Sequence, residues 1–176
     1  MAKLSTSGIE LRSHPVMLDI NSSLAGLKGV RNGIQFDTDL LGAFHVAGSG
    51  AGRESTASGL ISDLHALSKS NEVSPMNYPD FSNKPNILNF NDLTFKFYVY
   101  LEVKDEPGVL ALISKTFADH NISFDKVIQK DQLQNGSVPL VIFTDPTIES
   151  EMQIALEGLA DHPEVLNSKI IRIEDL

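Results

Sequence analysis

Three glycines crowd the run Gly48-Ser49-Gly50-Ala51-Gly52, between a strand-like and a helix-like stretch. Such a turn can bring backbone against a phosphate, since glycine removes the Cβ and a helix start offers unpaired amides. The stronger forms of that chemistry fail on single positions. A dinucleotide fingerprint needs glycine where Arg53 stands, and a P-loop needs a Gly-Lys-Ser/Thr that is absent. A nucleophile elbow needs glycines around Ser49 where the chain has Ala47 and Ala51. Close backbone approach survives as a possibility, and a tight strand-to-helix turn explains the same residues without any ligand. A second candidate is Asp105-Glu106-Pro107-Gly108-Val109. An acidic cap and a proline in the first turn predict a helix N-terminus whose amides could receive a carboxylate. Plain capping accounts for it equally well.

Other chemistries are excluded or unsupported. The chain has no cysteine, which removes disulfides, thiol catalysis and cysteine-ligated metals. The histidines at 14, 45, 65, 120 and 162 form no pair at metal-ligand spacing, so they read as surface or turn residues and no metal is expected. The acidic residues from Glu149 to Glu157 read as a solvated helix face and first turn, and no carboxylate pair stands out as acid and base. With 14 basic against 23 acidic residues and a net charge of −9, neither nucleic acid nor an anionic membrane is the expected partner. The opening Met1 to Gly8 has no apolar run of signal-peptide length, which points to the cytoplasm. Strand-like sequence starts almost at once, at Ile9-Glu10-Leu11, and the chain reads as part of something longer.

The elements that must position these residues fall into two groups. The first holds strands at Ile9 to Met17, Val30 to Phe36 and Leu40 to Ala47, with a hairpin break at Asp37-Thr38-Asp39. A helix from about Thr56 to Ser68 follows, with Leu60, Ile61, Leu64 and Leu67 on one face. That is too little to bury a core alone. Residues 71 to 93 carry Pro75, Pro79 and Pro85 and read as a surface linker pinned by Tyr78, Phe81, Ile87 and Phe90. The second group begins with Phe95 to Val103, which alternates as a half-buried strand does. A helix through Val109, Ile113 and Phe117 comes next, then a strand from Ile122 to Gln129 whose slipped alternation predicts a bulge. Gln134-Asn135-Gly136 signals a hairpin into the strand Val138 to Thr144. Asp145-Pro146-Thr147 opens a second helix, and Lys169 to Ile173 is the last strand. The order βαββαβ predicts a ferredoxin-like α+β unit, four antiparallel strands with both helices on one face, preceded by a partial mixed α/β segment.

Two stretches resemble known families. Tyr98 through Leu110, the helix ending His120-Asn-Ile-Ser, and Val138-Pro-Leu-Val-Ile are similar to an ACT domain, a small-molecule sensing module. Leu11-Arg-Ser-His-Pro and Gly48 through Asp63 resemble the end of the substrate domain of homoserine dehydrogenase. The resemblance implies a division into residues 1–70 as an incomplete substrate domain, 71–93 as linker and 94–176 as an ACT regulatory domain. It implies an enzyme interconverting homoserine and aspartate semialdehyde with NAD(P), whose dinucleotide domain and catalytic residues lie upstream. This segment is then inactive by itself, with no cofactor bound. Gly52 matches the family glycine whose backbone approaches the cofactor, with Gly50 and Ala51 as companions, while Ser55 replaces the usual proline. For the ACT half, the resemblance implies an amino-acid effector, threonine, at Asp105, Gly108 and Val109, with Asn121 and Ile122 supplied by a neighbouring protomer. A homodimer through this domain follows. The alternative is a free-standing amino-acid-binding or dimerisation module with no catalytic role.

Overall fold

The computed structural model describes residues 1–69 and 86–174. The linker prolines and the pins Tyr78 and Phe81 lie outside the described residues. The described residues divide into two compact units, one made of residues 1–18 with residues 86–174, the other of residues 19–69. The opening residues thus pack with the later half of the chain.

That larger unit is built on β6 (Thr94–Lys104), α2 (Val109–Asp119), β7 (Phe124–Gln129), β8 (Ser137–Thr144), β9 (Thr147–Ile148), α3 (Glu149–Ala160) and β10 (Val165–Glu174). The sheet runs β10-β6-β8-β7 with all three pairings antiparallel, the ferredoxin-like arrangement that the element order predicts. Alternation fixes which face is buried. Phe95, Phe97, Val99, Leu101 and Val103 of β6 share one core cluster with Ile113 and Phe117 of α2 and with Met152, Ala155, Leu156 and Leu159 of α3. Both helices therefore cover the same face. Each fully buried Phe, Leu or Ile contributes about 1.5–3 kcal/mol, so this cluster dominates the stability of the unit. The slip predicted in the second strand is a register shift between Phe124 and Lys126.

Several boundaries differ from the sequence reading, each for a local reason. The first predicted strand is two, β2 (Gly8–Leu11) and β3 (Val16–Leu18), preceded by β1 (Ala2–Ser5), which pairs with β2. Pro15 lacks the N–H a continuous ladder needs. Ile9 also exchanges backbone bonds with Asn86 and Leu88, while β3 runs parallel to the end of β10. Asp145-Pro146-Thr147 does not begin a helix, because Thr147 and Ile148 pair with Phe95 and Thr94 first. Glu149, read as part of a solvated face, is buried at 1% exposure.

The smaller unit holds β4 (Arg31–Thr38), β5 (Gly42–Ser49) and α1 (Arg53–Lys69). The hairpin turn sits later than predicted, so that Asp37 and Thr38 pair within the ladder. Gly42 at φ 73 closes the turn, a conformation glycine adopts without strain. α1 starts three residues before the predicted Thr56 and has no buried residue. Leu60, Ile61, Leu64 and Leu67 all remain exposed, as do Ile34 and Val46 of the hairpin.

Candidate functional site

The turn between β6 and α2 borders a cleft of about 410 Å³. Its position follows from strand register: Val103 pairs with Val138 and Leu101 with Leu140, which lines up aliphatic side chains beneath the first turn of α2. Val103, Ile113, Val138 and Leu140, all buried, form the floor, and Leu110 closes one side. The rim carries Lys104, Asp105, Glu106 and Gln129. One cation and two carboxylates over an aliphatic floor form a surface complementary to a small zwitterion with an apolar side chain.

The cap at this turn differs from the sequence reading. Gly108 is the N-cap, at φ 96 and ψ −15, and no side chain caps the helix, so Asp105 is not a capping residue. Pro107 has no amide to offer, and Gly108 takes the left-handed backbone that turns the chain into α2. A Cβ on Gly108 would meet nothing within 4 Å, so the glycine answers to backbone conformation, not to crowding. The structure brings Asp105 and Val109 to the cleft. Asn121 and Ile122 lie past the other end of the 11-residue α2, about 16 Å away along a helix rising 1.5 Å per residue. Asn121 is exposed in the left-handed region at φ 56, and Ile122 is part of the core. Within one chain, these two residues do not join the cleft. Sequence reasoning missed Lys104, Leu110, Gln129 and the floor, although the alternation of Val103, Val138 and Leu140 was there to be aligned once the hairpin register was known.

The glycine-rich turn lines a second hollow, formed by Ser49, Ala51, Gly52, Arg53, Glu54 and Ser55. Gly52 sits at φ 124 and its carbonyl accepts from the hydroxyls of Ser55 and Thr56, which fixes the start of α1. A Cβ on Gly52 would reach only Ser55 Oγ, at 3.5 Å, so its outer side is open to a ligand. At Gly50 a Cβ would stand 1.8 Å from Asn32 Nδ2, so that glycine is accounted for by packing within the chain. The turn follows an antiparallel hairpin. It therefore offers one open backbone position and lacks the parallel βαβ frame that holds a dinucleotide.

A charge cluster lies at the far end of β6 from the cleft. Arg12, 5% exposed, forks onto Glu174 at 2.7 and 2.6 Å, and its Nε lies 2.6 Å from Glu10 as an ion pair without an aligned hydrogen bond. Arg172 forks in the same way onto Glu149, with Nε at 2.8 Å. Both guanidiniums lie over the Phe95 ring, at 4.9 and 5.6 Å, and His14 packs edge-on against Phe90 and Phe95. Paired carboxylates and aromatic faces make it tolerable to bury two arginines here. The motif Leu11-Arg-Ser-His-Pro thus serves to fasten the opening residues to the larger unit. Among the described residues, no group of three or more potential ligands is placed to hold a metal ion, and no helix is long and apolar enough to cross a membrane.

Fold and site together define an α+β chain in which a ferredoxin-like unit carries a small-ligand cleft and a hairpin–helix piece carries a glycine turn. Residues 1–65 match the family model for homoserine dehydrogenase. The chain is 32% identical to the homoserine dehydrogenase of Helicobacter pylori, over 99% of this chain and 42% of that protein. It is 29% identical to that of Pseudomonas aeruginosa, over 98% of this chain and 42% of that protein. The crystal structure of a homoserine dehydrogenase from Thiobacillus denitrificans superposes with a TM-score of 0.82 at 29% identity, covering 99% of this chain and 41% of that one. The chain belongs to the homoserine dehydrogenase family and spans about two fifths of the length of these relatives.

Proposed function

We propose that this chain is the regulatory end of a homoserine dehydrogenase, in which the cleft between β6 and α2 receives an amino-acid effector, threonine. The observation that carries the reading is the cleft: Lys104 offers a cation for a carboxylate, and Asp105 and Glu106 offer carboxylates for an ammonium. It sits in the βαββαβ unit expected of an ACT domain. Family membership across nearly the whole chain supports the enzyme context. Within that enzyme a nicotinamide cofactor supplies hydride transfer between homoserine and aspartate semialdehyde. This chain's contribution toward the cofactor is the open backbone at Gly52, with Ala51 beside it, and no catalytic residue. The chain alone is then inactive. A homodimer through the larger unit, which would bring a neighbour's Asn121 and Ile122 to the cleft, belongs to the same reading.

Calorimetric titration with threonine, alongside the mass in solution by light scattering, tests it. Saturable threonine binding by a dimer is the expected result. A folded chain that binds no amino acid would reduce this unit to an assembly module.

A further inference from the structure

We propose that Asn135 is a site of spontaneous covalent modification, where Gly136 attacks the side-chain amide and the carboxylate so formed unlatches the β7–β8 tip from β6. The pair Asn135-Gly136 lies at that tip, with both residues exposed and Gly136 in the left-handed region at φ 83. Asparagine is chemically labile, most of all before glycine, because no Cβ shields the following nitrogen. No electrons change hands in the step. A bond forms between Gly136 N and Asn135 Cγ, and the Gly136 amide proton leaves with the side-chain nitrogen as ammonia. Water then opens the cyclic imide to aspartate or isoaspartate.

The fold adds a latch and a consequence. Asn135 Nδ2 donates to Glu102 Oε1 at 2.8 Å, and Asn135 Oδ1 accepts from the Ser137 amide at 3.1 Å. The Ser137 hydroxyl is shared between them, 2.5 Å from Glu102 Oε1 and 2.7 Å from Asn135 Oδ1. The attacking nitrogen is engaged as well, since Gly136 N–H donates to the Leu133 carbonyl at 3.0 Å. Attack therefore requires the tip to open locally, and each of these bonds lowers the open fraction. After the reaction the relation reverses. An oxygen replaces the nitrogen that faced Glu102, whose carboxyl the Ser137 hydroxyl foremost holds below its ordinary value. Two anions then stand where a hydrogen bond stood, and the product loosens the contact that restrained its formation.

The experiment is peptide mapping by mass spectrometry of the 176-residue chain held in warm, mildly alkaline buffer, with the same chain in urea as the unlatched reference. Aspartate and isoaspartate should accumulate at position 135 in the folded chain, more slowly than in urea. Ser137→Ala should speed that conversion by about fivefold in the folded chain, the weight of one hydrogen bond, and leave the rate in urea unchanged. Asn32-Gly33, the same dipeptide within β4, shows whether the substitution acts beyond the tip, and its rate should not move. No conversion at Asn135 in the folded chain, while the chain in urea converts, overturns the proposal. A folded rate that Ser137→Ala leaves unchanged overturns the latch. The consequence is read by comparing Asn135→Asp with Asn135→Ala in hydrogen–deuterium exchange of Gln132 to Ser137. The aspartate variant should exchange faster by about fivefold, the repulsion of two carboxylates a few ångströms apart in water, and high salt should erase the difference. Equal exchange in the two variants at low salt overturns the unlatching.

Discussion

Glu102 accepts hydrogen bonds from the Ser137 hydroxyl at 2.5 Å and the Asn135 amide at 2.8 Å, and these two donors, the hydroxyl foremost, hold its carboxyl below the ordinary value of 4.5. A depressed carboxyl pKa stabilises the folded state above the unfolded value, and that contribution is lost as pH falls through the folded one. The tip of the β7–β8 hairpin should therefore stay docked on β6 at pH values where free glutamates are already protonating, and loosen only in stronger acid. Ser137→Ala should bring the Glu102 titration back toward 4.5, read by carboxyl-carbon NMR. Glu149 tests a buried pair. Glu149→Ala leaves the largely buried Arg172 without its carboxylate, and Arg172→Met leaves the fully buried Glu149 without its cation, so each should cost about 3–5 kcal/mol in urea unfolding. Gly108→Val forces a β-branched residue to φ 96 and should destabilise by about 1–3 kcal/mol even though the added side chain meets open space. A test of the cleft is thus cleaner at Leu110 than at Gly108.

At the scale of elements, helix α1 and the β4–β5 hairpin show what local sequence can and cannot achieve. Leu60, Ile61, Leu64 and Leu67 recur at helical spacing, and the helix forms, but that stripe is exposed together with Ile34 and Val46. A hairpin and one helix without a buried residue have no core to offset the entropy of ordering. A peptide of residues 19–69 made alone should show no cooperative thermal transition by circular dichroism. A sharp one would mean that the exposed stripe is not what limits this piece. β6, α2 and α3 present the opposite case, since their apolar positions converge on one cluster and each element's preference agrees with its packing.

For the whole molecule, the important fact is that residues 1–18 belong with the later half of the chain. The smaller unit is an insertion, entered after Leu18 and left before the βαββαβ unit begins. The three-pair ladder of β3 on β10 is short, so the Arg12 fork onto Glu174 should carry much of that attachment. Arg12→Met should raise amide exchange in Val16 to Leu18 and at the end of β10 while leaving β6 and β8 protected, measured by hydrogen–deuterium exchange. Much of this architecture was legible beforehand. The alternation of Phe95 to Val103, the Asn135-Gly136 turn and the slip after Phe124 are local signals, readable because strand periodicity and turn chemistry act over a few residues. The charge cluster was not. Arg12, Glu149, Arg172 and Glu174 are scattered through the sequence, and a glutamate at a helix start looks solvated until its partner is seen. The cleft was legible only as its turn. Its floor comes from three elements brought into register by hydrogen bonding, a relation that no single window of sequence contains. Sequence by itself determined the βαββαβ order of the larger unit and the residues of the β6–α2 turn, since these depend on local conformational preference. The tertiary structure alone decided where the first 18 residues belong and which side chains meet, because distant burial and charge pairing are settled only when the chain folds back upon itself.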